Sequence, residues 1–195
     1  MNKTIIILTL ALSVFFSASS DYDLFYQISP PVEANVLKLE VQESPDRLPV
    51  LRETPEQYQE LFISVSNEYN IPLEVLTANA QVESQFNPLA TSPERVTIYY
   101  DGEQEIKIVS RDEGMFQHNS LYHNYFVKTF NYGREYDPYN PSEAIHVTAR
   151  MVNFYFDRYG HWPDVFLAYN GGAGRVDNND IKDGSWEYLR RIYSK

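Results

Sequence analysis

The chain contains no cysteine among its 195 residues. Disulfide bonds are therefore excluded, and so is a lipid anchor on an N-terminal cysteine. A chain without disulfides must rest on its own apolar core. Roughly 145 residues remain once an N-terminal leader and linker are set aside, and that length suffices for one domain.

Positive charge is also scarce. Only 16 Lys and Arg side chains stand against 27 Asp and Glu, which gives a net charge of -11. This balance lacks the basic footprint that nucleic-acid binding requires, and it disfavours simple electrostatic adhesion to an anionic surface. We therefore expect no nucleic-acid partner.

The sequence offers little that would hold a cofactor. It contains no nucleophile elbow and no phosphate-binding loop. Its four histidines do not have the spacing of a metal site. We expect neither a cofactor nor a bound metal. The histidines are His118, His123, His146 and His161.

An apolar run at residues 5–16 follows Lys3 and is too short to span a bilayer. The small residues at positions 17–20 suit a cleavage site. This pattern predicts a signal peptide over residues 1–20 and export to the periplasm or the extracellular space. A retained membrane anchor is the alternative interpretation, and we favour a chain without one.

Residues 21–53 are predicted to form an extended or disordered tether. Four prolines interrupt any regular element, and acidic residues are scattered between them. Alternation at residues 36–41 would fit a short strand. A spacer role is favoured over a docking role. The prolines are Pro30, Pro31, Pro45 and Pro49.

Residues 54–195 are predicted to form one α+β domain that is mainly α. Thr54 is placed as the cap of the first helix, with Pro55 at the first helical position. Pro72 opens a second helix that reaches Glu83. Apolar residues at helical spacing mark the buried face of the first helix. They are Tyr58, Leu61, Phe62, Val65 and Tyr69.

Four further helices are predicted. They span residues 119–131, residues 142–159, a short segment from Pro163 to residues 171–172, and a last segment that Ser185 would cap. The last helix would carry Trp186, Leu189 and Tyr193. The helix at residues 142–159 has the clearest buried stripe, formed by Ala144, Val147, Thr148, Met151 and Tyr155.

Between the second and third helices, residues 95–110 alternate in hydrophobicity around a turn and predict a β-hairpin. A two-residue Asp-Gly turn would set Ile98 opposite Glu105. A three-residue turn over residues 101–103 would pair Ile98 with Ile106 and Val96 with Ile108. We prefer the longer turn because it puts the apolar residues on one face.

Glu83 is the most unusual residue of the second helix. It shares a helical face with Leu76 and Ala80, which are core residue types. Burial there would raise the pKa of the carboxyl group, as a general acid at neutral pH requires. Pro88 ends the helix soon afterwards. Taken alone, Glu83 also fits a frayed helix end that points to water.

Three segments together resemble the soluble lytic transglycosylase family of the lysozyme-like superfamily. Residues 83–90 match its Glu-Ser-x-Phe-Asn-Pro-x-Ala signature. Residues 114–117 are similar to its Gly-Leu-Met-Gln motif, and residues 168–172 are similar to Ala-Tyr-Asn-Ala-Gly, with Gly171 in place of the Ala. The likeness extends from about residue 55 to about residue 190. It implies a lysozyme-like fold with a small hairpin inserted after the catalytic helix.

The resemblance implies cleavage of the β-1,4 bond between N-acetylmuramic acid and N-acetylglucosamine in peptidoglycan, leaving 1,6-anhydro ends. Glu83 would be the single catalytic acid. Tyr169 matches a tyrosine whose hydroxyl would hold Glu83, while Gln117 and Asn170 would line the sugar cleft. Ser84 would orient the end of the catalytic helix.

Asp112 departs from the family pattern. Residues 110–114, Ser-Arg-Asp-Glu-Gly, are locally similar to animal-type lysozymes at the position of their second catalytic carboxylate. A retaining hydrolase needs two carboxyl groups about 5 Å apart. Asp112 is therefore the candidate second carboxylate of a muramidase. A hydrogen-bonded structural acid at a strand end is the other interpretation, and we favour the transglycosylase.

Two further functions stay open at this point. One is a wall-binding protein on the same fold that lacks catalysis. The other is an enzyme that opens the wall for a cell-envelope assembly and binds a partner there. The expected ligand in each case is a peptidoglycan glycan strand, and without an assembly partner we expect a monomer.

Overall fold

The computed structural model describes residues 48–101 and 103–194. The predicted signal peptide, the strand at residues 36–41 and the tether up to residue 47 lie outside the described residues. The described part is mainly helical with short antiparallel ribbons, which confirms the predicted fold class. Among these residues, no helix is long and apolar enough to cross a membrane.

The elements alternate between helices and a small β region. Helices α1 (Glu56–Tyr69) and α2 (Leu73–Ser84) come first. The ribbons β1 (Arg95–Asp101) with β2 (Gln104–Ser110), and β3 (Asp112–Glu113) with β4 (His118–Asn119), follow. The remaining helices are a 3-10 turn (Ser120–Tyr122), α3 (His123–Thr129), α4 (Pro141–Tyr159), α5 (Trp162–Gly171), α6 (Ala173–Asp177) and α7 (Asp183–Tyr193).

The core places the two motif segments against each other. Phe62 of α1 packs edge-on to Phe86 and stacks on Phe116, with ring centroids 5.6 and 6.1 Å apart. All three rings are buried. Burying an aromatic side chain stabilises the fold by about 1.5–3 kcal/mol. Because Phe86 follows Glu83 and Phe116 precedes Gln117, this aromatic cluster anchors both segments.

Helix α2 ends in a way that fixes the position of Glu83. Gln85 and Phe86 both adopt left-handed backbone conformations, with φ of 56° and 63°. The Phe86 N–H donates to the Ala80 carbonyl at 3.2 Å, and the Gln85 N–H donates to the Gln81 carbonyl at 3.0 Å. These bonds satisfy carbonyls that a helix end leaves unpaired. The helix therefore stops before Pro88, as predicted.

The buried faces of the helices agree with the predicted stripes. Phe62 and Val65 of α1 are buried, and Tyr58, Leu61 and Tyr69 pack partly buried against the same core. On α4, the residues Ala144, Val147, Thr148 and Met151 are buried. Helical periodicity was a sufficient guide here because each helix buries one continuous face.

The predicted hairpin is present, but its predicted register is wrong. Val96 pairs with Val109 and Ile98 with Lys107, and the pairing continues to Asp101 opposite Gln104. Apolar residues therefore lie on both faces of the ribbon. The side chains of Val96, Ile98, Ile106 and Val109 are 39–58% exposed. A hydrophobic pattern sets the register only where one face is buried, and neither face is buried here.

Three local predictions about the helices also need correction. The cap of α1 is Pro55, not Thr54, and it makes no side-chain bond. The cap of α7 is Lys182, and Ser185 lies inside its first turn. The predicted helix at residues 119–131 is split into the 3-10 turn, which the Asn119 side chain caps by accepting from the Leu121 N–H, and α3. The split lies at Tyr122, whose backbone (φ -101°, ψ 5°) departs from α-helical geometry.

The last residues of the predicted tether carry no helix or strand over residues 48–53. The guanidinium of Arg52 donates to the carbonyls of Arg191, Ile192 and Ser194 at the end of α7, at 3.1, 3.4 and 2.5 Å. A cation at this end complements the helix dipole and pairs exposed carbonyls.

Candidate active site

Glu83 lies one residue before the end of α2, with part of the residue still accessible to solvent. Its carboxyl group is desolvated, and this burial raises its pKa to about 8. A hydrogen bond from Tyr188 opposes the rise, the charge of Asp112 adds to it, and Arg191 lowers it. The carboxyl group is thus protonated at neutral pH while the residue keeps part of its surface accessible to solvent, as an acid catalyst requires.

Two buried tyrosine hydroxyls flank Glu83. Tyr188 of α7 is 4% exposed, and burial followed by the charge of Glu83 raises its pKa well above the usual value. The contact between the Tyr188 hydroxyl and the Glu83 carboxyl falls outside the usual geometric limits of a hydrogen bond. The Tyr188 hydroxyl nevertheless acts on Glu83 as a weak hydrogen-bond donor, because it affects the pKa of both groups.

Tyr169 makes a different contact from the one that the sequence suggested. Its hydroxyl donates to the Phe116 carbonyl at 2.8 Å. Burial and then the charge of Glu83 raise its pKa well above the usual value, so Tyr169 lies within electrostatic reach of Glu83. Tyr169 thus ties α5 to the segment before Gln117.

Sequence reasoning missed Tyr188. The residues expected to mark the last helix were Trp186, Leu189 and Tyr193, and Trp186 is 47% exposed. The observed buried stripe is Ser185, Tyr188 and Ile192. Both sets have helical spacing, so periodicity alone allowed either one. The packing of α7 on α5 and α2 selects between them.

Replacing Tyr188 with Phe removes the hydroxyl that stabilises the ionised form of Glu83. We expect the alkaline limb of kcat/KM for a reaction that uses Glu83 as the acid to move to higher pH, because the hydrogen bond lowers the pKa of Glu83. We also expect kcat to fall by about tenfold, which corresponds to about 1.4 kcal/mol. Tyr58→Phe in α1 is the matched control. An unchanged pH profile would contradict this role.

Backbone carbonyls hold the first and second motifs together. The Ser84 hydroxyl donates to the Met115 carbonyl at 2.7 Å. The amide nitrogen of Gln117 donates to the carbonyls of Gly114 and Ala90 at 2.9 and 3.2 Å. Gln117 adopts a positive φ of 50°, which turns its side chain back over this segment. Ser84 and Gln117 thus position the segment that borders the end of α2.

Asn170 is exposed at the end of α5, and its side-chain Oδ1 accepts a hydrogen bond of 2.9 Å from the Ser185 hydroxyl. A Cβ on Gly171 would lie 2.8 Å from the Ser185 hydroxyl oxygen. The Gly that stands in place of the family's Ala therefore leaves room for this hydroxyl. The contact crosses from α5 to α7.

The Gly171 and Ser185 positions are expected to be energetically coupled. Gly171→Ala should push the Ser185 hydroxyl off Asn170 and cost about 1 kcal/mol. Ser185→Ala removes the same hydrogen bond and also clears the space. The double variant should therefore be destabilised by about 1 kcal/mol less than the sum of the single variants. Urea unfolding of all four proteins measures this, and strict additivity would contradict it.

Asp112 is held by partners on both sides. An Arg95 Nη nitrogen lies 2.5 Å from each of its carboxylate oxygens. The Asn119 amide donates to Oδ1 at 2.8 Å. The Asp112 side chain is 23% exposed and that of Arg95 is 57% exposed. Asp112 thus lies within electrostatic reach of Glu83, but its oxygens already accept these bonds.

A buried polar cluster lies directly after the second motif, around His118. His118 is 3% exposed, with Nδ1 paired to the Tyr136 hydroxyl and Nε2 lying 3.0 Å from the Thr148 hydroxyl. Burial lowers the pKa of His118 to about 3, so it stays neutral. Glu113 is buried nearby against Arg111 and His123. His118 therefore has a structural role and does not line the cleft.

This arrangement of a helical body, small ribbons and a desolvated carboxyl group at a helix end belongs to the lysozyme-like class of domains. The 70 kDa soluble lytic transglycosylase SLT70 from Escherichia coli has a similar structure, with a TM-score of 0.52 and 20% sequence identity. The match covers 70% of this chain and 22% of that chain. At this identity the likeness shows the fold alone.

The chain belongs to the Transglycosylase SLT domain family, whose pattern matches residues 60–189. This confirms the family that the three sequence segments indicated. Protein IpgF of Shigella sonnei and Protein IpgF of Shigella flexneri are each 31% identical to it over 105 residues. These matches cover 54% of this chain and 60% of the length of each relative.

Proposed function

We propose that the protein is a lytic transglycosylase of peptidoglycan. It would cleave the β-1,4 bond between N-acetylmuramic acid and N-acetylglucosamine and leave 1,6-anhydro ends. The observation that carries the proposal is the state of the Glu83 carboxyl group. Desolvation raises its pKa to about 8, so the group keeps its proton at neutral pH. Family membership supports the substrate class.

In the proposed reaction Glu83 acts first as acid and then as base. Its proton passes to the bridging oxygen as the bond from C1 to that oxygen breaks. The 6-hydroxyl oxygen of the muramic acid then bonds to C1, and its proton passes to the Glu83 carboxylate. The acetamido group of the sugar assists at C1, so no protein nucleophile is needed.

The surroundings of Glu83 suit both halves of this cycle. Desolvation favours the protonated acid before cleavage. Once the proton has left, the Tyr188 hydroxyl and the charge of Arg191 stabilise the carboxylate. Arg191 is anchored by a 2.6 Å bond to the Val82 carbonyl, one residue before Glu83. Ser84, Gln117, Tyr169 and Asn170 would position this helix end or the sugar.

The muramidase that uses Glu83 and Asp112 is the second candidate function. It is favoured by the influence of Asp112 on the pKa of Glu83. It is disfavoured by the Arg95 and Asn119 bonds, which occupy the oxygens that a nucleophile would need free. A non-catalytic wall-binding protein would have no use for a protonated, tyrosine-flanked carboxyl group.

The mass of the released muropeptides distinguishes these functions. Purified peptidoglycan is digested with the domain, and the products are analysed by mass spectrometry. We expect products one water lighter than hydrolysis products, and Asp112→Asn should keep releasing them. Reducing ends that vanish in Asp112→Asn would establish a muramidase instead. Absence of any product would contradict an enzymatic role.

We also propose that the chain is exported and acts as a monomer on the wall in the periplasm or outside the cell. The apolar run at residues 5–16 and the fit to a wall substrate support this. Cell fractionation with an antibody against the domain tests it. Retention in the cytoplasmic fraction would contradict export.

A further inference from the structure

Arg95 is a cation that the proposed reaction does not use, although it lies in the site. It begins β1, and the β1–β2 pairing sets it opposite Ser110, two residues before Asp112. Its guanidinium contacts both oxygens of Asp112. The Asp112 main-chain N–H also donates to the Ser92 hydroxyl at 2.8 Å, which fixes the backbone of this residue.

The position of Asp112 makes this contact significant for chemistry. The segment that carries Asp112 is bonded to the end of α2, since the Ser84 hydroxyl donates to the Met115 carbonyl at 2.7 Å and the Gly114 N–H donates to the Ala90 carbonyl at 2.8 Å. The charge of Asp112 also raises the pKa of Glu83, so the two carboxyl groups lie within electrostatic reach of each other. A second carboxylate beside a reacting sugar can stabilise positive charge at C1 or bond to it, and water then completes hydrolysis. A carboxylate whose oxygens already accept hydrogen bonds from a guanidinium and an amide is poorly suited to either task.

We propose that Arg95 determines the reaction outcome by holding Asp112 away from the anomeric carbon. The inference rests on the proposed transglycosylase function. With Asp112 engaged, the 6-hydroxyl oxygen captures C1 and returns its proton to Glu83. With Asp112 released, its carboxylate stabilises or bonds to C1. A solvent water then bonds to C1, any bond between C1 and Asp112 breaks, and the water proton passes to Glu83.

The decisive variant is Arg95→Gln, assayed by the mass of its muropeptides. The fraction of products with reducing ends should rise about tenfold over the wild type, a change of about 1.4 kcal/mol in relative barriers. Arg95→Lys keeps a cation beside Asp112 and should stay close to the wild type. The double variant Arg95→Gln with Asp112→Asn lacks the freed carboxylate and should return to anhydro ends.

Arg158→Gln is the matched control, because it breaks another exposed ion pair, with Asp177 on α6. Its product fractions should equal those of the wild type. Arg95 is largely exposed, so its loss should leave the helical core intact, and a circular dichroism melt checks this. Raising the salt concentration from about 0.1 M to about 1 M shortens the Debye length from about 10 to about 3 Å. In the wild type this weakens the Arg95–Asp112 ion pair without a mutation.

Two results would overturn the inference while leaving the proposed function in place. One is a folded Arg95→Gln variant that yields only anhydro ends, together with a salt series that changes nothing. The other is a folded Arg95→Gln variant that no longer cleaves at all, since Arg95 would then be required for cleavage. Products that carry mainly reducing ends from the wild type at low salt would instead contradict the proposed function itself.

Discussion

Replacing Glu83 with Gln is expected to lower kcat for peptidoglycan cleavage by about 10³-fold or more. Gln keeps the size and the polarity of the side chain but has no proton to give to the bridging oxygen and cannot take one back. General acid–base catalysis contributes about 10²–10⁴-fold. The release of soluble muropeptides per unit time measures the effect, with single-turnover conditions to isolate the chemical step.

Glu74→Gln is the matched control for this experiment. Glu74 lies in the first turn of the same helix and has the same side chain as Glu83. Its substitution should leave kcat within about twofold of the wild type, because the group does not contact the reacting bond. A Glu83→Gln variant that stays within about tenfold of the wild type would exclude Glu83 as the acid.

The same Glu83→Gln variant should be more stable than the wild type at alkaline pH. The folded-state pKa of Glu83 is about 8, raised from 4.5. The free energy of unfolding of the wild type therefore falls as the pH rises from 4.5 through 8, because the unfolded chain loses the proton first. Allowing for solvent access, the loss is roughly 2 kcal/mol. Gln at this position avoids it.

Melting temperatures at pH 4.5 and pH 9 separate this effect from a general change in packing. At the lower pH the wild type and the Glu83→Gln variant should have the same melting temperature. The variant should melt roughly 5–10 °C higher at the upper pH. A constant difference at both values would show that the carboxyl group titrates normally.

The second large effect is expected at Gly114, the first residue of the second motif. Its φ is +77°, and a Cβ built there would lie 1.8 Å from the Pro138 carbonyl oxygen. No rotation of a side chain relieves a clash with backbone, so the loop or the Pro138 segment must move. We expect Gly114→Ala to lower the free energy of unfolding by about 3–5 kcal/mol, measured by urea denaturation.

Gly133 provides the matched control for Gly114. Its φ is +76°, but nothing lies within 4 Å of a Cβ built there. Gly133→Ala therefore reports the cost of the left-handed backbone alone, which is about 1 kcal/mol. The excess for Gly114→Ala over Gly133→Ala measures the close approach to Pro138. Equal costs at the two positions would show that the contact is not tight.

The sequence contained enough to predict the helices that bury one face. Phe62 and Val65 on α1, and Val147 and Met151 on α4, repeat at helical spacing and are all buried. The motif around Glu83 also specified where its helix would end. These features depend on residues close together in the chain, which periodicity and backbone preferences describe well.

Features that depend on contacts between distant segments were not predictable in the same way. The hairpin register was missed because both ribbon faces are exposed, so the apolar pattern carried no information on it. Tyr188 was missed because two stripes on α7 have the same spacing. The reason for Gly171 lies in Ser185, fourteen positions later, and becomes visible only when α5 and α7 are in contact.

The titration of the Glu83 carboxyl group tests the central claim most directly. Carbon-13 NMR of the side-chain carboxyl carbon, assigned by comparison with Glu83→Gln, gives its pKa in the folded protein. A value near 8 is the expected result, because desolvation holds the proton on the group through neutral pH. A value near the usual 4.5 would contradict the account, since Glu83 would then be ionised when it is required to act as the acid.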